Sequence, residues 1–175
     1  MNLSAQTKFF HHKGKFTVLK RLVEILNGIV KWILIALFAV MVVVVFMQVI
    51  FRFVIHQPLA WTEELGRYLL VWTTFLGAGY GMSVKAHPSI EVLFDKVGPG
   101  LKKVFTVLTT ILVIFFFWQV IINSFEFISR SLTQTSPVLR LPMGWVYTVI
   151  PISSGLFVIN LLYVVLTEWR KEEKQ

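Results

Sequence analysis

Hydrophobic residues are concentrated in four long stretches of this chain. None of the four contains Asp, Glu, Lys, Arg or His, and they cover residues 32–51, 68–84, 104–125 and 141–167. A helix rises about 1.5 Å per residue and a bilayer core is about 30 Å thick, so roughly 20 apolar residues are needed to cross it. We therefore predict an all-α integral membrane protein with four transmembrane helices. The predicted spans are about residues 32–52, 62–84, 104–126 and 145–167.

The second span depends on residues that precede its apolar stretch. Residues 68–84 are slightly too few to cross a bilayer, so the helix has to begin earlier, near Pro58 or Thr62. That start places three charged residues at the membrane edge: Glu63, Glu64 and Arg67. Glu63 and Arg67 are four residues apart in the order that favours an ion pair on a helix. The three residues either interact with solvent at the helix start or form a salt bridge with another subunit.

The segment before the first span is basic and divides in two. Residues 1–14 show no helical periodicity, and we interpret them as a flexible cytoplasmic tail preceding a single four-helix membrane domain at residues 15–175. From residue 15 apolar side chains recur at helical spacing, and the other face of the predicted helix carries Lys20, Glu24, Asn27 and Lys31. This amphipathic helix either lies on the membrane surface or extends the first span into the cytoplasm. A similar, shorter pattern occupies residues 88–97, between the second and third spans.

Composition and charge support a membrane protein with both termini in the cytoplasm. Hydrophobic residues make up 56% of the chain and charged residues 15%, which excludes an ordinary soluble domain. The net charge of +8 does not indicate nucleic acid, because the basic residues are spread over chain ends and loops. Thirteen of the 17 Lys and Arg residues lie before the first span, between the second and third, or after the fourth. The positive-inside rule therefore places both termini in the cytoplasm, with Lys20, Arg21 and Lys31 near one membrane interface and Trp145 and Tyr147 near the other.

Polar and small residues inside the spans indicate contacts with other helices. Gln119, Asn123, Glu126 and Arg130 are spaced by four, three and four residues, so they share one face of the third span. Because polar groups facing lipid cost free energy, this face should contact protein, either within the chain or in a second subunit. Gly77 and Gly81 form a small-xxx-small pair on the second span that favours close helix packing. Pro151 is expected to kink the fourth span.

The chain offers little chemistry of its own. No His lies inside a predicted span, no carboxylate lies at a span centre, and there is no cysteine. These absences argue against a haem protein with axial His ligands, a small proton antiporter and a thiol oxidoreductase. We expect no catalytic residue, no metal site, no cofactor and no substrate site in this chain, and we expect that it is not an enzyme.

Two segments resemble a known transporter family. The first reads Gln48-Val-Ile-Phe-Arg52, followed by Trp61-Thr-Glu-Glu64-Leu-Gly-Arg67-Tyr68, and the second reads Leu139-x-Leu141-Pro142-x-x-Trp145-x-Tyr147-x-x-Ile150-Pro151. In motif order, span number and length, nearly the whole chain resembles the small, DctQ-like membrane subunit of tripartite ATP-independent periplasmic (TRAP) transporters.

This resemblance implies a function that depends on partners. The chain would be an accessory subunit that holds a large multi-span transport subunit, in a ratio of one to one, in the bacterial inner membrane. That subunit would carry the sodium and substrate sites, and a periplasmic binding protein would deliver an organic acid such as a C4-dicarboxylate, a keto acid or sialic acid. The candidate partner contacts or structural residues are Arg52, Trp61, Glu63, Glu64, Arg67, Gly77, Gly81, Gln119, Asn123, Glu126, Arg130 and Pro151. The alternative is a self-contained homo-oligomeric transporter or channel with residues 119–130 facing a pore.

Overall fold

The described part of the chain is helical. The computed structural model describes residues 3–84 and 99–172, with side chains described for 18–84, 100, 101 and 103–170. Its helices are α1 (Leu3–Phe53), α2 (Ala60–Ser83), α3 (Pro99–Ser131), α4 (Met143–Tyr147) and α5 (Val149–Glu172). The only extended pairing in these residues is an isolated antiparallel bridge between Thr135 and Pro142. The all-α class predicted from the sequence is confirmed.

Three helical segments are long and apolar enough to cross a membrane. They are Val18–Phe53, Lys103–Ser131 and Met143–Arg170, which contain the predicted first, third and fourth spans. Helix α2 corresponds to the second predicted span and has 24 residues, or about 36 Å at the usual helical rise. Its length is sufficient, but the charged residues of its first turns and its glycines make it less apolar than the other three.

Helix α1 runs without interruption from Leu3 to Phe53. At the usual rise its 51 residues extend about 76 Å, more than twice the thickness of a bilayer core. The amphipathic segment that begins at residue 15 is therefore an extension of the first span and not a separate surface helix. Residues 3–14 are also helical, although their sequence pattern predicts no regular structure, and the domain boundary at residue 14 stays a prediction. The second amphipathic pattern, at residues 88–97, lies outside the described residues.

Helices α2 and α5 form the centre of the bundle. Helix α2 packs against α1 and α5, and α3 packs against α5 and α4, so α1 and α3 lie at the two edges. The buried apolar side chains include Leu76 from α2 and Val149 and Leu156 from α5. By contrast, large apolar side chains on α1 and α3 are exposed along the lengths of both helices. In a membrane such surfaces contact lipid or another protein.

The inner face of α1 follows a heptad repeat. Its most buried residues are Val23, Asn27, Val30 and Val44, separated by four, three and fourteen residues. A repeat of 3.5 residues keeps one side of a helix against its neighbour over many turns. Asn27, which the sequence pattern assigns to the polar outer face, therefore belongs to the packed face.

Asn27 takes part in a buried amide network that joins three helices. Its Nδ2 donates to the Oδ1 of Asn160 at 2.7 Å, and the Nδ2 of Asn160 donates back to Asn27 Oδ1 at 2.9 Å. The same two amide nitrogens also donate to the carbonyl oxygens of Val23 and Gly79, both at 2.9 Å. Both amides are thus fully used as donors, which is what a polar group needs in an apolar interior. This network fixes the position of α1 relative to α2 and α5.

The last helical region is interrupted at Thr148, between α4 and α5. Pro151 lies three residues later and has no N–H to donate to the carbonyl of Tyr147. The interruption therefore lies in the turn where a proline at residue 151 weakens helical hydrogen bonding.

Candidate partner-binding surface

One exposed face of α3 carries a row of polar side chains. Gln119, Asn123, Glu126 and Arg130 are all exposed, and we call this row the polar stripe. Asn123 Nδ2 donates to the backbone oxygen of Gln119 at 2.7 Å, and the Arg130 guanidinium pairs with the Glu126 carboxylate. No other described helix covers these residues. Part of the polar stripe is thus satisfied by hydrogen bonds within α3, and contact of the stripe with a second subunit stays a prediction.

The polar stripe extends well into the span. Arg130 lies in the last turn of α3, whereas Gln119 lies about 17 Å further along the helix axis. Gln119 and Asn123 are therefore placed among apolar turns, where water is absent if α3 crosses a bilayer. Side-chain amides at such a depth are stabilised by partners on another helix.

A second exposed side of α3, about 100° around the helix from the polar stripe, carries large apolar side chains. Trp118, Ile122 and Phe125 follow one another at spacings of four and three, and they are 60%, 49% and 63% exposed. This side is suited to lipid tails. Helix α3 thus has two chemically different exposed sides at the same depth.

A recess of about 230 Å³ opens beside the polar stripe, between α2 and α3 and over α5. Its apolar walls are formed by Phe75 and Phe116, and its floor includes Ser153 and Ser154. The two serine hydroxyls donate to the Ile150 carbonyl oxygen, at 3.0 and 2.7 Å, so they present little free polarity to the recess. Sequence patterns missed this recess, because it arises from the separation between α2 and α3.

The exposed side of α2 carries Glu63 and Arg67, with 3.5 Å between a carboxylate oxygen and a guanidinium nitrogen. Both side chains are 67% exposed, so the ion pair predicted from their spacing is present at the surface. Whether these two residues bind another subunit stays a prediction.

Gly79, and not Gly77, is the glycine of α2 at a close helix contact. A Cβ added at Gly79 would lie 2.9 Å from Leu156 Cδ2 and 3.1 Å from the Ser153 carbonyl oxygen. A Cβ added at Gly77 would meet nothing within 4 Å. Gly77 therefore makes no close packing contact among the described residues, and a contact with a helix of another subunit stays a prediction. Gly81 is half-buried.

Glu64 is buried and holds the 132–142 connection in place. The side chain is only 3% exposed. One carboxylate oxygen accepts from the Tyr68 hydroxyl, and the other accepts from the backbone N–H groups of Val138 and Leu139 at 2.9 and 3.1 Å. Neither predicted alternative, solvation of a helix start or a salt bridge to another subunit, describes this residue. Two of its hydrogen-bond donors are backbone N–H groups of a segment that is distant in the sequence. The spacing of residues along the sequence does not reveal such contacts.

The 132–142 connection is also closed by bonds of its own. Met143 N donates to the Gln134 oxygen at 2.8 Å, and Ser136 N donates to the Leu141 oxygen at 2.9 Å. The buried Ser136 hydroxyl accepts from Leu141 N at 3.0 Å. Arg140 has a φ of 53°, a left-handed conformation that the surrounding hydrogen bonds stabilise.

The remaining predicted residues lie at the surface or near it. Arg52 is exposed, with its guanidinium carbon 5.7 Å from the Phe53 ring centroid, and Trp61 is also exposed. Trp145 is exposed, whereas Tyr147 packs its ring 4.7 Å from that of Phe127. The predicted interface cations Lys20, Arg21 and Lys31 are all exposed. Lys20 also pairs with Glu24 at 3.7 Å.

This arrangement is suited to binding rather than to bond-making chemistry. Within residues 18–84 and 103–170, no three His, Asp or Glu side chains come together as a metal site. The buried carboxylate of Glu64 accepts hydrogen bonds from three groups of its own chain.

Comparison with known proteins identifies one family. The sequence model described as "Tripartite ATP-independent periplasmic transporters, DctQ component" matches residues 41–171, about three quarters of the chain. The matched region includes α2, the polar stripe and all but the last residue of α5.

Individual relatives agree with the family match. A TRAP transporter small permease protein of Haemophilus influenzae is 26% identical over 161 residues, which cover 90% of this chain and 100% of that protein. The isethionate TRAP transporter permease protein DctMQ of Oleidesulfovibrio alaskensis is 25% identical over 151 residues, which cover 77% of this chain and 24% of that protein. The sialic acid TRAP transporter small permease protein SiaQ of Vibrio cholerae is 23% identical over 141 residues, which cover 81% of each.

Proposed function

Because this chain belongs to the DctQ component family of tripartite ATP-independent periplasmic transporters, we propose that it holds a large transport subunit in the membrane as a static scaffold. Members of this family are transport components, and the chain is accordingly a membrane transport protein and not an enzyme. A transport domain that moves substrate across a bilayer needs a neighbouring element that does not move. A small subunit with its own packed helices and fully used buried amides meets that need.

The observation that carries this proposal is the uncovered polar stripe on α3. A membrane helix that exposes two amides and an ion pair on one side needs a protein partner there, since lipid tails offer no hydrogen bonds. The partner is a multi-span permease subunit in a ratio of one to one. It supplies the sodium and substrate sites, for which the described part of this chain has no candidate residues.

The proposed topology has four crossings, with α2 as the second. The three strongly apolar helices alone would put the two ends of the chain on opposite sides of the membrane. A crossing by α2 returns both ends to one side, which the distribution of Lys and Arg makes the cytoplasmic side of the inner membrane. The 54–59 and 132–142 connections are then periplasmic.

Substrate delivery by a periplasmic binding protein follows from the family, and the substrate is an organic acid. The names of two relatives specify different compounds, isethionate and sialic acid. Small subunits of one family thus accompany transporters of different substrates. This supports the proposal that C4-dicarboxylate, keto acid or sialic acid specificity resides in the other components.

The proposal is tested by isolating the complex under mild conditions. The chain carries an affinity tag at its C-terminus, is extracted from native membranes, and is analysed by mass spectrometry of the intact assembly. We expect equimolar recovery with one large multi-span protein. The large protein, reconstituted together with this chain and its binding protein, should show sodium-dependent uptake.

A different result would support the alternative function. If the chain is recovered only with copies of itself, and if that assembly alone transports solute in liposomes, the scaffold function is wrong. The polar stripe would then line a pore between copies.

A further inference from the structure

We propose that a transmembrane helix of the large permease subunit packs along the α3 side that bears the polar stripe, with one of its apolar side chains filling the recess between α2 and α3. This assignment rests on the proposed function and goes beyond it, because it names which side of the chain the permease covers.

The first argument is the difference between the two exposed sides of α3. At the depth of Asn123, the neighbouring residue Ile122 faces about 100° away around the helix. Ile122 belongs to the apolar side with Trp118 and Phe125, and Asn123 belongs to the polar stripe. Exposure to hydrocarbon costs nothing for the first side. On the second side it leaves the Gln119 amide, and the hydrogen-bonding groups of Asn123 beyond its bond to the Gln119 backbone, without partners. The permease therefore covers the second side, and lipid covers the first.

The second argument is that the recess continues the same surface. Phe116 lies three residues before Gln119, so it shares a face with the beginning of the polar stripe, and it forms one wall of the recess. Cavities of about 150 Å³ in protein interiors accommodate benzene, so a recess of about 230 Å³ has room for a Leu or Phe side chain. Small residues that line the recess, such as Ala78 and Gly79, and polar side chains beside it are the features through which membrane helices pack against one another.

Helix α1 provides the contrast within the same molecule. Its outward side chains in the middle of the span are apolar, with Val40, Val43 and Phe46 between 47% and 66% exposed. Contact with lipid tails is therefore sufficient for this edge of the bundle, and no protein partner is needed there.

The choice of a permease helix as the occupant has independent support. The isethionate relative DctMQ is about four times the length of the region that matches this chain, and its name describes the whole as a permease protein. In that relative, the remaining permease sequence is covalently joined to the part homologous to this chain. The comparison therefore favours a permease helix, rather than a second copy of this chain or a lipid, as the structure that covers this side of α3.

The test uses photo-cross-linking at two adjacent residues of the complete chain. The photoreactive residue p-benzoylphenylalanine replaces either Asn123 or Ile122, and the chain is co-expressed with the large permease and the binding protein. We expect a covalent adduct with the permease from residue 123 and loss of that adduct at residue 122. Equal recovery of the permease with both substituted chains confirms that the complexes themselves are intact.

A second pair of variants tests the recess. Ala78 lines the recess on α2, and Ala39 is exposed on the outer side of α1. We expect Ala78→Trp to fill the recess and reduce permease recovery several-fold, with Ala39→Trp recovering as much permease as the unsubstituted chain. Thermal unfolding of the two isolated variants shows that both remain folded.

Each outcome separates this proposal from the function on which it rests. Failure of the unsubstituted chain to recover any permease would contradict the proposed function. Recovery of the permease with adducts only from residue 122, or with adducts from neither residue, would retain the function and overturn the assigned side. Adducts from residue 123 to a second copy of this chain would overturn the assigned occupant.

Discussion

Two adjacent glutamates show how strongly local surroundings decide the role of a residue. Glu63 is 67% exposed and pairs with Arg67 one turn away, an arrangement that contributes little to stability. Glu64 is buried and accepts hydrogen bonds from the Tyr68 hydroxyl and from two backbone N–H groups of the 132–142 connection. Removing the Glu64 carboxylate therefore leaves those N–H groups without their acceptor, whereas removing that of Glu63 leaves nothing buried unpaired.

The expected consequence is local opening of the 132–142 connection. In Glu64→Ala, trypsin should cleave after the exposed Arg140 several-fold faster than in the unsubstituted chain, because the segment that holds Arg140 has lost its contact to α2. The rate of appearance of the fragment that begins at Leu141 measures this opening. Glu63→Ala is the matched control and should cleave at the unsubstituted rate. Equal cleavage rates in the two variants would show that Glu64 does not hold the connection.

At the scale of helices, the contact between α2 and α5 depends on the missing side chain of Gly79. We expect Gly79→Ala to lower the free energy of unfolding of the isolated chain by about 1–3 kcal/mol, the usual range for overpacking a close contact. The terminal methyl of Leu156 can rotate away, but the Ser153 carbonyl oxygen belongs to the backbone and cannot. The measurement is thermal unfolding in detergent, followed by circular dichroism.

Gly77→Ala is the control for that experiment. The two glycines lie two residues apart on α2, but a Cβ at Gly77 has open space around it. Its unfolding temperature should match or slightly exceed that of the unsubstituted chain, since Ala has the higher helix propensity. A larger loss of stability from Gly77→Ala than from Gly79→Ala would contradict the packing described for α2.

The sequence predicts which segments are helical more reliably than it predicts which sides of them meet. The four apolar stretches anticipate α1, α2, α3 and α5, because the length and hydropathy needed to cross a bilayer are local properties. The spacing of the polar stripe likewise predicts a shared face. Which neighbour lies opposite a given residue is not a local property. The spacing of Asn27 from Val23 and Val30 was a usable signal that it belongs to the packed face.

Glu64 and Gly79 illustrate the limit of sequence reasoning more fully. Glu64 accepts hydrogen bonds from residues more than 70 positions away in the sequence, and no sequence pattern near Glu64 indicates these partners. The glycine motif on α2 indicated close packing, but the structure places the contact at Gly79, between the two glycines that the motif selects. The rotation of α2 about its own axis decides which of these glycines faces the neighbouring helix. That rotation is determined by all the contacts of the bundle together.

For the whole molecule, the proposed four-crossing topology makes a direct prediction about accessibility. The chain has no cysteine, so single cysteines report their own surroundings without background. A membrane-impermeant thiol reagent added to spheroplasts should label Gln57→Cys and Thr133→Cys, in the two connections proposed to be periplasmic. Ser4→Cys and Ser89→Cys should be labelled only after permeabilisation. Labelling of Ser89→Cys in intact spheroplasts would mean that α2 does not cross the membrane. The polar residues at the start of α2 would then indicate that this helix lies at the membrane surface.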